Sequence, residues 1–142
     1  MLESGLALDG DRAARVLVID DEPHICHLLD RILSMHRFQV TTCSHNPQDI
    51  DAFERELTGY DAILCDMSMV GVDAPSLYES LSQAAPQLAR RLVVMTGGIL
   101  NSRYADFVTE SQPHLVEKPF ELEHLFEVIK RAIQEGRSGS TS

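Results

Sequence analysis

Five short apolar segments alternate with segments of helical periodicity, and this alternation restricts the chain to very few folds. The apolar segments are Arg15–Asp20, Phe38–Cys43, Tyr60–Cys65, Arg91–Met95 and His114–Glu117. A repeated strand–helix unit predicts a parallel sheet with helices on both faces, an α/β fold. Ligands bind beyond the carboxyl ends of the strands in such sheets. The residues that follow each strand are therefore the candidates for a functional site.

The predicted helices differ in the strength of their signals. Residues 22–35 and 121–134 place apolar side chains on one face at helical spacing. Asn46, followed by proline, and Asp73 are typical N-cap residues and predict two further helices. Residues 100–109 predict the fifth helix, with the weakest periodicity of the five.

Length and charge limit the class of protein. The 142 residues are enough for one domain, which we predict over residues 15–134, with a leader or linker at 1–14 and a flexible tail at 135–142. The formal charge of −10 opposes contact with nucleic acid, and no apolar run reaches a membrane-spanning length. Three cysteines without framework spacing fit a reducing compartment. We therefore expect a cytoplasmic domain that contacts neither nucleic acid nor membrane.

Charged and hydroxyl side chains follow four of the predicted strands. Asp20 ends the first strand and Asp21 follows it, Asp66 follows the third, Thr96 the fourth and Lys118 the fifth. Crowded carboxylates favour a bound dication, and Mg²⁺ prefers oxygen ligands and sites shared with a phosphate. With a hydroxyl and an ammonium group nearby, this set suits phosphoryl transfer to an aspartate.

The segments VLVIDDEP, AILCDMSM, LVVMTGG and LVEKPF follow one another in this order. Together they resemble the receiver domain of bacterial response regulators, over about residues 15–134. The resemblance implies a flavodoxin-like, doubly wound, five-stranded parallel sheet in the order 2-1-3-4-5, with five flanking helices. It also implies a two-component signalling module that accepts a phosphoryl group from a phosphohistidine of a histidine kinase or histidine phosphotransfer protein. Mg²⁺ is the only cofactor expected.

The resemblance also implies roles for individual residues. Asp66 is the expected phosphoryl acceptor. Asp21 and Asp66 are expected to bind Mg²⁺ directly, Asp20 through water, and Ser68 through its backbone carbonyl.

The remaining roles concern the switch and the cation. Thr96 is expected to turn toward the phosphoryl group, and Lys118 is expected to pair with that group. The Lys118-Pro119 peptide bond is expected to be cis. Leu115 stands where many receivers carry a tyrosine or phenylalanine that moves inward on activation. The resemblance therefore does not extend to an aromatic switch at this position.

Several alternatives stay open on the sequence alone. An aspartate-nucleophile phosphatase of the haloacid-dehalogenase type is one, although Asp66-Met67-Ser68 lacks the second aspartate of that family's motif. A degenerate receiver that acts only as a binding scaffold is another. The chain could be a free single-domain receiver or the receiver of a hybrid histidine kinase, and LVVMTGG with HLVEKPF favours the second. Enzymatic activity beyond self-phosphorylation and dephosphorylation is undecided, as is the oligomeric state.

Overall fold

A computed structural model of the chain describes residues 7–8, 12–44, 55–69, 73–98 and 101–138. One five-stranded sheet is formed by β1 (Arg15–Ile19), β2 (Gln39–Cys43), β3 (Ala62–Asp66), β4 (Leu92–Thr96) and β5 (His114–Glu117). Its strands are parallel and lie in the order β2-β1-β3-β4-β5. The predicted flavodoxin-like class and the 2-1-3-4-5 strand order are confirmed.

The helices that flank this sheet are α1 (Pro23–Met35), α2 (Ala74–Ala84), α3 (Pro86–Ala89), α4 (Ser102–Ser111) and α5 (Leu122–Ser138). Most of the helix predicted after Asn46 lies outside the described residues. Residues 55–57, which are described, are helical. The short α3 was not predicted. The weakly predicted α4 is present, and Asn101 caps it by accepting a hydrogen bond from the backbone N–H of Tyr104 at 2.9 Å.

Regular secondary structure extends past both predicted ends of the domain. Helix α5 continues to Ser138, beyond the end predicted at Gln134, so residues 135–138 are helical instead of a flexible tail. Within the segment predicted as a leader, Ala7–Leu8 pairs antiparallel with Arg12–Ala13. Among the described residues, no helix combines the length and the apolar character that crossing a bilayer requires.

The side chains of β1 alternate between two hydrophobic cores, one on each face of the sheet. Val16 and Val18 belong to the core that includes buried residues of α1 and α5. Leu17 and Ile19 belong to the core that includes buried residues of α2, α3 and α4. Burying each such side chain contributes about 1.5–3 kcal/mol. Helices cover both faces of the sheet and hold it in place. The carboxyl ends of the strands form one common edge.

Gly136 is buried where α5 passes Arg91. A Cβ atom at position 136 would lie 2.5 Å from Arg91 Cγ, and Arg91 Nη1 is held by donating to the Tyr60 carbonyl at 2.9 Å. We expect Gly136→Ala to lower the free energy of unfolding by about 1 kcal/mol, because overpacking outweighs the gain in helix propensity.

The same substitution in an Arg91→Ala background should raise the free energy of unfolding by about 1 kcal/mol, because only the propensity gain remains. Urea denaturation of the four proteins measures both effects. Equal effects in the two backgrounds would contradict the proposed steric conflict.

Candidate functional site

The parallel register brings the predicted site residues to one edge of the sheet. Asp20 directly follows β1, Asp66 is the last residue of β3 and Thr96 is the last residue of β4. One oxygen from each of Asp20, Asp21 and Asp66 lies within 4.8 Å of the others. Asp20 is fully buried, Asp66 is half-buried and Asp21 is exposed. The predicted acidic cluster is therefore assembled by the fold.

Lys118 connects two members of this cluster. Its Nζ donates hydrogen bonds to Asp20 Oδ2 at 2.8 Å and to Asp66 Oδ1 at 2.9 Å. Its backbone N–H donates to the Thr96 carbonyl at 2.8 Å, and the peptide bond to Pro119 is cis, as expected. The backbone contact with β4 and the two side-chain contacts hold the ammonium group between the carboxylates.

Burial and charge set the protonation of these groups. Burial alone lowers the pKa of Lys118, but hydrogen bonds to Asp20 and Asp66 outweigh it and raise the pKa above its ordinary value. Burial raises the pKa of Asp66, Lys118 lowers it in part, and the charges of Asp20 and Asp21 raise it further. One ammonium group thus leaves the carboxylate cluster with excess negative charge, the condition that favours a bound dication.

The two oxygens of Asp20 are both engaged. Oδ1 accepts from the backbone N–H of Glu22 at 2.9 Å, and Oδ2 accepts from Lys118. The backbone N–H of Asp20 donates to the Cys43 carbonyl at 3.1 Å. Asp20 is therefore held rigidly by the protein, whereas Asp21 keeps an exposed carboxylate.

A cavity of about 450 Å³ opens beside the acidic cluster. Its lining includes Asp66, Ser68, Thr96, Gly97, Gly98 and Lys118. Tyr104 and Asn101 also line it and were missed by the sequence analysis. Asn101 could have been found as an N-cap, but the weak periodicity of residues 100–109 concealed the start of that helix. Leu115 lies in β5 opposite Val94 and packs in the core instead of lining this cavity.

A buried thiol immediately precedes the central carboxylate. Cys65 occupies β3, and its side chain is almost completely buried. Burial, followed by the negative charge of Asp66, raises the pKa of the Cys65 thiol. The thiol therefore stays protonated and is a poor nucleophile, which leaves the chemistry at this edge to oxygen and nitrogen groups.

The fold and the acidic edge together define a signalling receiver. A family model of the response regulator receiver domain matches residues 16–130, and the chain belongs to this family. It is a receiver domain of the two-component response regulator type, as the sequence predicted, and the phosphatase and scaffold alternatives are not favoured. Receiver domains of this family generally bind Mg²⁺ at an acidic aspartate cluster, and this chain has such a cluster.

Two curated relatives illustrate the similarity. Two-component response regulator ARR2 of Arabidopsis thaliana is 22% identical over 142 residues, covering 96% of this chain and 21% of the relative. Transcriptional activator protein PfeR of Pseudomonas aeruginosa is 30% identical over 113 residues, covering 78% of this chain and 35% of the relative. The chain thus spans about a fifth to a third of the length of these relatives.

Solved structures confirm the fold. The response regulator receiver domain protein of Clostridium thermocellum superposes with a TM-score of 0.72 at 21% identity, covering 88% of this chain and 98% of that one. A CheY-like receiver domain protein of Methanospirillum hungatei gives a TM-score of 0.70 at 18% identity, covering 89% and 98%.

Proposed function

We propose that Asp66 accepts a phosphoryl group from a phosphohistidine of a histidine kinase or histidine phosphotransfer protein in a cytoplasmic, Mg²⁺-dependent reaction. The observation that carries this proposal is the Lys118 ammonium group, which bridges Asp20 and Asp66 at 2.8 and 2.9 Å beside an open cavity. Receiver domains of response regulators generally take phosphoryl groups from such partners.

The atoms of Asp66 have separable roles in this transfer. Lys118 holds Oδ1, and Oδ2 accepts no hydrogen bond from the residues that the structure describes, which leaves it available for attack on phosphorus. The bond from phosphorus to the histidine nitrogen breaks as the new oxygen–phosphorus bond forms, giving an aspartyl phosphate. Lys118 then offsets negative charge on the phosphoryl oxygens. Thr96, at the end of β4, supplies a hydroxyl donor to the same group.

The acidic cluster has the donor set that Mg²⁺ prefers, since carboxylate oxygens are its usual protein ligands. We assign Asp21, Asp66 and the Ser68 backbone carbonyl as direct ligands and Asp20 as a ligand through water. The engaged oxygens of Asp20 support its more distant role. The ion, when bound, neutralises charge on the transferring phosphoryl group.

Removing the Asp21 carboxylate should weaken Mg²⁺ binding. We expect Asp21→Ala to lower the affinity at least about tenfold, a loss of about 1.4 kcal/mol, because one of the direct ligands is gone. Isothermal titration calorimetry measures this affinity. Asp30→Ala is the matched control, because it removes an exposed carboxylate of α1 that lies outside the cluster.

Phosphorylation tests the function itself. The chain should gain the mass of one phosphoryl group on incubation with acetyl phosphate and Mg²⁺, and should gain none when EDTA is present. Asp21→Ala should need a correspondingly higher Mg²⁺ concentration for half-maximal labelling. Equal Mg²⁺ affinities for Asp21→Ala and Asp30→Ala would refute the ligand assignment, and labelling unaffected by EDTA would refute the metal dependence.

A further inference from the structure

Two segments border the acidic cavity, and each leads into a helix. Met67 and Ser68 follow β3 on the way to α2, and Gly97 and Gly98 follow β4 on the way to α4. The backbone N–H of Ala74 donates to the Met67 carbonyl at 3.1 Å, which ties the start of α2 to the residue after Asp66. A displacement of either helix start therefore changes the cavity that contains the acceptor.

Side chains link these two helix starts directly. Asp73 caps α2, because its Oδ1 accepts from the backbone N–H of Ser76 at 3.1 Å. Its Oδ2 accepts from Arg103 Nη1 and, at 3.2 Å, from the hydroxyl of Tyr104, both in the first turn of α4. Arg103 Nη2 also donates to Ser76 Oγ at 3.1 Å. One carboxylate thus caps one helix and holds the next.

Tyr104 connects this link to the cavity. It is half-buried, packs against the core below α2 and α4, and lines the cavity together with Asp66, Thr96 and Lys118. Asn101 fixes the same turn through the backbone N–H of Tyr104. Leu115, at the position where many receivers carry a tyrosine or phenylalanine, has no hydroxyl with which to make such a contact.

We propose that Asp73, Arg103 and Tyr104 form a clamp that holds the starts of α2 and α4 together beside the cavity, limits how far that cavity opens and so sets the lifetime of the phosphoryl group. The three are positioning residues: they hold the starts of α2 and α4 beside the acceptor and do not touch the reacting atoms. Release of the clamp widens the gap between the starts of α2 and α4 and admits water to the aspartyl phosphate. The charge of the Asp73 carboxylate is secured by its surroundings, because hydrogen bonds from Arg103 and Ser76 outweigh burial and lower its pKa.

This inference rests on the proposed function, and the phosphoryl lifetime tests it. The protein is labelled with acetyl phosphate and Mg²⁺, the donor is removed, and loss of the phosphoryl mass is followed over time. Tyr104→Phe keeps the ring and deletes the hydroxyl that binds Asp73. Asp73→Asn keeps an N-cap of similar strength but removes the charge that binds Arg103. We expect each to shorten the lifetime by about tenfold, the lower end of the effect of losing one hydrogen bond to a charged group.

Tyr78→Phe is the matched control. Tyr78 is a half-buried tyrosine of the same core, packed edge-to-face on Phe107 at 5.4 Å, and its side chain is absent from the lining of the acidic cavity. Its substitution should leave the lifetime unchanged.

The possible outcomes are distinct. Failure of the parent protein to become labelled overturns the proposed function. A labelled parent whose lifetime is unaffected by Tyr104→Phe overturns the clamp alone, as does an equal change on Tyr78→Phe. If urea denaturation shows that Asp73→Asn is unfolded, the comparison of Tyr104→Phe with Tyr78→Phe tests the clamp without it.

Discussion

Replacing Asp66 with asparagine should abolish phosphorylation of the chain. The amide keeps the shape of the side chain but removes the carboxylate that attacks phosphorus, and no carboxylate of β3 replaces it. Intact-mass measurement after incubation with acetyl phosphate and Mg²⁺ should show full or partial labelling of the parent and none of Asp66→Asn.

The control for this experiment is Asp30→Asn, which makes the same chemical change on the exposed face of α1. It should be labelled like the parent. Labelling of Asp66→Asn to the parent level would show that the acceptor is another residue. Peptide mapping of the labelled protein would then locate that residue, and the assignment of Asp66 would be withdrawn.

Replacing Lys118 with alanine should produce the largest loss of stability among substitutions in the site. Asp20 is fully buried and depends on the Lys118 ammonium group, which is itself only 14% exposed. Removing one partner of a buried ion pair costs about 3–5 kcal/mol, because a buried charge is left without compensation. Urea denaturation in EDTA should show a loss of this order.

Added Mg²⁺ should restore part of this loss, since a dication bound by the same carboxylates replaces the missing positive charge. Lys130→Ala removes an equivalent charge from α5, outside the acidic cavity, and should change the stability little. Equal losses for the two lysine variants in EDTA would contradict the role of Lys118 as the internal counter-ion.

The sequence was sufficient to predict which edge of the sheet carries the acidic cluster. Strand periodicity located the carboxyl ends of β1, β3, β4 and β5, and a parallel sheet requires those ends to meet. Asp20, Asp66 and Lys118 were therefore expected on one edge of the sheet, and the structure shows Lys118 bonded to both carboxylates. Strand direction brings these residues to one edge, and the strand order implied by the family resemblance places β1 beside β3.

Other features depended on tertiary contacts that no local pattern contains. The link from Asp73 to Arg103 joins two helix starts 30 residues apart, and the capping preference of Asp73 gave no sign of it. The end of α5 was placed too early, because the small polar residues after Gln134 are typical of a tail. In the structure Gly136 is buried against Arg91, so the small residue there serves close packing.

The rate at which the buried thiol of Cys65 is alkylated reports how often the sheet opens. A protonated, inaccessible sulfur reacts with an alkylating reagent only while β3 is transiently exposed, so its modification rate measures how often that strand opens. Asp66 is the next residue of β3. Any ligand that binds Asp66 only while β3 is folded into the sheet should slow the alkylation of Cys65. Binding of a cation or arrival of a phosphoryl group should then be measurable as delayed alkylation of a single sulfur atom in the centre of the molecule.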